Sequence, residues 1–151
     1  MANIVEKKLI QPLFEALQKE RYLLLTTIDP NTGAPNVNAI SWAIAKDPST
    51  LLFSLTSRSK LVENIRQVNH VVITLITNES TYAISGEAHI ITEKLEDISL
   101  DLTLIEMRIN EVRDVMFYGS KISVEPQIEK TYDNQAADIL DEKVLEAMRK
   151  V

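Results

Sequence analysis

The sequence predicts a mainly β protein with flanking helices, an α+β fold whose sheet is antiparallel. Three observations predict it. Runs of aliphatic, aromatic and β-branched residues fill most of residues 21–92, and they are separated by clusters of turn formers. Those connections are too short for the crossovers that parallel strands need. Helical spacing is confined to the chain's ends, one short stretch near residue 60 and one long stretch after residue 94, so helices do not alternate with strands and a doubly wound fold is excluded. Five or six such strands with few glycines predict a small barrel with helices packed outside.

The elements follow in order. Leu9, Leu13 and Leu17, with Ile10 and Phe14, predict an amphipathic helix ending near Glu20. Pro12 demands either a start near Gln11, with the proline in the first turn, or a kink. Arg21 to Ile28 reads as a strand, Asp29 to Ala34 as a turn with Gly33 free to take a positive φ, and Pro35 to Ala45 as the returning strand of a hairpin. Asp47-Pro48-Ser49 turns into a third strand, Thr50 to Thr56. Ser59 to Gln67 carries Leu61, Ile65 and Val68 at helical spacing. His70 to Thr77 and Thr81 to Thr92 are two further strands joined by Asn78-Glu79-Ser80. Leu95, Ile98, Leu102, Ile105, Ile109, Val112 and Met116 fall at steps of three and four, which predicts a long helix over 95–116. Ile122 to Tyr132 is expected to be a last strand, with Pro126 placing it at an edge or a break. Ala137, Leu140, Val144, Ala147 and Val151 predict a closing helix.

Composition narrows the function. A chain of 151 residues can bury one real core without staples, and no linker or repeat divides it, so a single domain over 1–151 is expected. The absence of cysteine excludes disulfides, thiolate zinc sites, iron–sulfur clusters and a cysteine nucleophile. The longest uncharged run, Pro30 to Ala45, holds two prolines and three asparagines and is no membrane span. Met1 to Lys8 has no apolar stretch behind its charges and reads as no secretory signal, so a cytoplasmic protein with no membrane partner is expected. A net charge of −6 argues against nucleic acid as a partner, since phosphate neutralisation needs a broad basic surface.

No motif announces a metal, a nucleophile or a dinucleotide. The two histidines, His70 and His89, sit on separate strands with surface readings, and no metal site is expected. There is no Gly-x-Ser-x-Gly elbow, no phosphate-cradling glycine loop and no Gly-x-Gly-x-x-Gly. Two features remain. Thr56-Ser57-Arg58-Ser59-Lys60 joins a strand to a helix start and offers three hydroxyls and two cations beside free N–H groups, the combination a phosphate needs. Arg58, Lys60 and Arg66 have only Glu63 opposing them locally. The plain alternative is a solvated cap with Ser57 or Ser59 as N-cap. Second, Val37, Ala39, Ser41, Ala43 and Ala45 give the strand 35–45 a face of mostly small side chains, opposite Ile40, Trp42 and Ile44. Such a face either leaves the main chain open to something flat or lets a helix pack closely.

The ordered set YLLLTTIDPNTGAPNVNAISW, LLFSLTSRSKLVENIRQ, VVITLI and YAISGEAHII resembles the pyridoxamine-phosphate-oxidase-like flavoproteins. The matching elements are Leu24 to Thr27, Gly33-Ala34-Pro35, Ser41-Trp42, Thr56 to Lys60, Asn64-Ile65 and Gly86. The resemblance covers residues 1–92 and fits the C-terminal third only in architecture. It implies a six-stranded antiparallel split β-barrel of the FMN-binding type. It also implies FMN as cofactor, with Thr56, Ser57, Ser59 and Lys60 at the phosphate, Arg58 as a neighbour, and Ala39, Ile40, Ser41 and Trp42 beside the isoalloxazine ring. The family places its flavin at a dimer interface, which implies a homodimer here. Any apolar surface that the helix 95–116 leaves exposed would serve that interface. The vitamer oxidase itself has an Arg-containing C-terminal segment, which the ending Glu146-Ala-Met-Arg-Lys-Val does not match, so vitamin B6 oxidation is not expected.

Two functions of different class follow from the resemblance. One is a flavin-dependent oxidoreductase acting on a small planar substrate, in which the flavin carries the redox chemistry and no general acid or base is named. The other is a non-catalytic module that holds flavin or haem as a carrier or sensor.

Overall fold

The computed structural model describes residues 4–151, so the first three residues of the stretch Met1–Lys8 lie outside the described residues. The chain begins with β1 (Val5–Glu6), α1 (Gln11–Ala16), β2 (Leu23–Ile28), β3 (Pro35–Ile40), β4 (Ala43–Asp47) and β5 (Thr50–Thr56). It continues with α2 (Lys60–Gln67), β6 (His70–Thr77), β7 (Ser80–Thr92), β8 (Leu102–Asp114) and α3 (Asn134–Arg149). Pro12 stands in the first turn of α1, the first of the two alternatives the sequence left open.

All pairings in the eight-stranded sheet are antiparallel, in the order β3-β2-β6-β7-β8-β5-β4, with β1 added to β8. β3 and β4 occupy opposite edges of this order, yet only Ser41 and Trp42 separate them in sequence. The sheet must therefore coil until its two edges meet at that corner, which makes a split barrel. The predicted strand 35–45 is thus two strands broken at Ser41-Trp42. The β2–β3 turn is closed by Gly33, whose φ of 75° permits its N–H to donate to the Asp29 carbonyl at 2.8 Å.

Alternation sorts side chains between two cores. Leu25 of β2, Ile73 of β6, Ile84 of β7, Phe53 of β5 and Met107 of β8 fill the barrel, with Leu13 and Leu17 of α1 and Ile65 of α2. Ile44, Leu52, Leu102 and Leu104 face outward and are covered by Val144, Leu145 and Met148 of α3. β5 is therefore buried on both faces.

The long helix expected over 95–116 is instead the strand β8, preceded by a loop. Ile105, Met107 and Ile109 point into the barrel, while Leu102 and Leu104 point the other way, under α3. Between Ile109 and Glu111 the register against β7 shifts, which returns Val112 to the inner face. A stripe with helical steps arose from combining two buried faces with one bulge. At that bulge β8 crosses close to Gly86: a Cβ there would lie 2.1 Å from the Arg108 carbonyl oxygen. The interface assigned to an exposed face of that helix falls with it.

The segment 122–132 is not a strand either. Val124 and Ile128 stay exposed, so it has no buried face to set a register, and polar contacts fasten it instead. Glu125 bonds Arg21 and Thr77, and the Ile122 N–H donates to the Glu79 carbonyl at 2.9 Å. The closing helix is present, with Asp133 capping it by accepting from the Ala136 N–H at 3.1 Å.

Candidate functional site

The segment from Thr56 to Lys60 bridges the end of β5 and the start of α2, and both sides pin it. Ser59 caps α2 by accepting from the Leu61 N–H at 3.0 Å, and its own N–H donates to the Thr56 carbonyl at 2.8 Å. The Ser57 N–H donates to the Asp101 carbonyl at 2.9 Å. Thr103 Oγ1 lies 2.9 Å from both the Ser57 hydroxyl and the Glu93 carbonyl oxygen. Thr56, Arg58 and Lys60 are exposed, while Ser57 and Ser59 are half-buried. The segment is both a helix cap and a display of hydroxyls and cations.

Its charge differs from the local count. The fold brings carboxylates from distant segments to the cations that only Glu63 opposed in sequence. Lys60 Nζ donates to Asp29 Oδ2 at 2.7 Å, and the Asp29 side chain is only 8% exposed. Arg66 grips Glu93 at 3.0 and 2.5 Å, and Lys94 pairs with Asp101 at 3.0 Å. The Lys60 hydrogen bond, with that from the Asn31 N–H, holds the Asp29 carboxyl below its ordinary pKa. The Arg66 hydrogen bond lowers that of Glu93 in the same way, and Glu93 raises Arg66 in return. The Lys94 hydrogen bond lowers that of Asp101, with a smaller contribution from the charge of Arg58. Among the described residues, Arg58 is in no ion pair and is the cation of this segment with its charge least compensated.

Strand 39–42 divides in the same fashion. β3 pairs only with β2, so its other edge is unpaired among the described residues, and Val37 and Ala39 are exposed. Ala39 and Ile40 stand opposite Leu24 and Leu23. Ala43 and Ala45 are buried in the barrel core, so the small-residue face is open along β3 and packed along β4. At the corner the Ser41 hydroxyl donates to Glu20 at 2.8 Å and Trp42 Nε1 donates to Asp141 at 2.9 Å.

The two stretches approach each other along β5. Ala43 pairs with Phe53, so β5 overshoots β4, and the Ser54 N–H donates to the Trp42 carbonyl at 3.0 Å. Thr56 lies two residues further on, about 7 Å along a strand. Between them the buried Ser54 hydroxyl has no hydrogen-bond partner among the described residues. From the first turns of α2, Lys60 reaches the β2–β3 turn, and Asn64 Nδ2 donates to Thr27 Oγ1 at 3.0 Å and Asn36 Oδ1 at 2.9 Å. These residues fit a phosphate-bearing planar group: hydroxyls and Arg58 at one end and the open main chain of β3 along its length.

Several residues of this region gave no signal in sequence. Asp29 was legible as a turn former but not as the partner of Lys60. Glu20, Lys130 and Asp141 meet only in the fold. A groove of about 730 Å³ lies elsewhere, at the C-terminal end of α2, and is lined by residues including Arg66, Asn69, His70, His89 and Ile90. Among the described residues no cluster of three or more His, Asp or Glu side chains could hold a metal ion, and no helix is long and apolar enough to cross a membrane.

The family model described as pyridoxamine 5′-phosphate oxidase matches residues 10–116. No curated protein matches the sequence. Among solved structures, the chain is similar to a Lactobacillus delbrueckii protein provisionally named a pyridoxamine 5′-phosphate oxidase, with a TM-score of 0.63 and 19% identity. That match covers 74% of this chain and 98% of the other. An F420 reductase matches with a TM-score of 0.54 and 21% identity over 64% of this chain and 91% of its own. HutZ, the haem storage protein of Vibrio cholerae, matches with a TM-score of 0.52 and 14% identity over 69% and 92%. At these identities the likeness is one of fold.

Proposed function

From the premise that this chain belongs to the pyridoxamine 5′-phosphate oxidase family, we propose that it binds FMN and serves as a flavin-dependent oxidoreductase for a small substrate, as a cytoplasmic homodimer whose partner completes the site. The observation that carries this reading is the β5–α2 junction, where Thr56, Ser57 and Ser59 flank Arg58 in sequence at the start of a capped helix. A helix start carries about half a positive charge, and Arg58 adds a full one that no ion pair cancels among the described residues. Lys60 contributes with its charge shared with Asp29. Ala39 and Ile40 offer exposed main chain for the ring, and Ser41 and Trp42 close its far end. When bound, the flavin supplies the redox chemistry.

The test is an FMN titration of the purified chain. Arg58→Ala should weaken binding by about 1.5–3 kcal/mol, the scale of a charge-assisted hydrogen bond. That is roughly ten- to hundredfold in Kd. Superimposable titrations would remove Arg58 from the site.

One observation favours the non-catalytic reading. Lys60 and Arg66 are compensated, and both side-chain donors of the corner are engaged internally. Such a site can hold a group without offering side chains to a substrate, as a flavin or haem carrier would. Turnover separates the two: a reductase bleaches its flavin with NADH or NADPH and regains colour in air, whereas a carrier stays yellow.

A further inference from the structure

Three segments converge on the corner between β3 and β4. Ser41 Oγ donates to Glu20 Oε2 at 2.8 Å, and Trp42 Nε1 donates to Asp141 Oδ1 at 2.9 Å. Lys130 joins the two carboxylates: its Nζ donates to Glu20 at 2.8 and 3.0 Å and to Asp141 Oδ2 at 2.8 Å. The Lys130, Glu20 and Asp141 side chains are only 23%, 17% and 11% exposed. Glu20 precedes β2, Lys130 lies in the irregular stretch 115–133, and Asp141 is on α3. The same C-terminal third is tied to the chain before β2 at two further points, by Glu125 to Arg21 and by Arg149 to the Gln18 carbonyl at 2.6 Å.

Burying three charges is a poor way to gain stability, because desolvation offsets most of their attraction, and apolar side chains of equal volume serve as well. What such a cluster does supply is geometry. Lys130 has three N–H donors and spends them on two carboxylates. Asp141 keeps its other oxygen for Trp42, and Glu20 Oε2 accepts from Ser41 and Lys130 together.

We propose that Lys130 is a positioning residue: by bridging Glu20 and Asp141 it fixes Ser41 and Trp42, so the C-terminal third shapes the ring end of the flavin site. The link to the ring rests on the function proposed above; the positioning of Trp42 stands without it. With both donors engaged, a planar ligand at this corner meets main-chain groups and apolar surface, and not free side-chain donors.

Trp42 is the chain's only tryptophan, so its emission reports this corner alone. The experiment records emission maximum and acrylamide quenching of the ligand-free full chain for the parent, Lys130→Met and Lys130→Arg, with far-UV circular dichroism as the check on folding. Lys130→Met should shift emission and raise the quenching constant at least twofold, while Lys130→Arg, which can still bridge two carboxylates, restores parental values. Identical emission and quenching in Lys130→Met and parent overturn the proposal. If Lys130→Met does not fold, the Glu20→Gln/Lys130→Met double variant, with one carboxylate neutralised, carries the same readout. In FMN titrations, Lys130→Met should raise Kd at least fivefold with recovery in Lys130→Arg, and an unchanged Kd overturns the link to the ring. A parent that binds no FMN overturns the flavin reading, and the tryptophan signal still decides the positioning role.

Discussion

Asp29 shows how one residue alters the meaning of a motif. Its carboxylate is buried under the β2–β3 turn, accepts from the Asn31 N–H at 2.8 Å and holds Lys60 at 2.7 Å. Read locally, Lys60 is a phosphate ligand; read in the fold, it is also the counter-ion of a buried acid. Removing it therefore destabilises the chain as well as weakening any anion site, and Arg58→Ala is the cleaner probe of binding. Because the folded pKa of Asp29 lies below its ordinary value of 3.8, the pair stabilises the fold above that pH and loses its contribution as pH falls through the folded value. Asp29→Asn should thus lower stability at neutral pH and flatten the acid limb below about pH 4. Urea unfolding of parent and variant at neutral pH and near pH 3 checks this; parallel curves would show that the pair contributes nothing to acid sensitivity. Asp29 was visible in sequence as a turn former, but its partnership with Lys60 spans a separation that no local pattern encodes. Glu93 and Asp101 escaped notice for the same reason.

At the scale of elements, hairpins were the most legible because their signals are local. The turn Asp29–Ala34, the Asn78-Glu79 turn and the capped start of α2 all appear where turn formers and caps stand in sequence. In the β6–β7 turn Asn78 and Glu79 both take left-handed conformations, with φ of 53° and 60°. Asn tolerates this; Glu does so at a cost of roughly 1 kcal/mol. The Lys121–Glu79 contact at 3.2 Å joins two side chains that are each more than two-thirds exposed, and returns little. Glu79→Gly should therefore stabilise by about 0.5–1 kcal/mol and raise Tm by roughly 1–4 °C, as a thermal melt would read. β8 was the element least legible by helical counting, although its strand signal was present: Ile105, Met107 and Ile109 alternate with Glu106, Arg108 and Asn110. Leu102 and Leu104 obscured it, because α3 buries the outer face there and supplies apolar residues at positions that an exposed face would make polar.

For the whole molecule, the fold class was legible because antiparallel order depends on short connections, and those are written in the turns. Closure was not, since nothing in the run Pro35 to Ala45 announces that Ser41 and Trp42 carry the chain from one edge of the sheet to the other. The candidate site stands on that closure: it brings the end of β5 beside the corner and leaves β3 open. Its C-terminal fastening was illegible, because Lys130 and Asp141 lie beyond every recognisable motif and meet Glu20 only through the packing of α3. The most direct test of the central claim is the visible absorption spectrum of the freshly purified protein, before and after incubation with FMN, with phosphate analysis of any cofactor released on heating. Flavin bands with phosphate equimolar to the chain are expected. A protein that is colourless after incubation with FMN and removal of free flavin, or one that shows a single sharp near-violet band of haem, would rule out the FMN site.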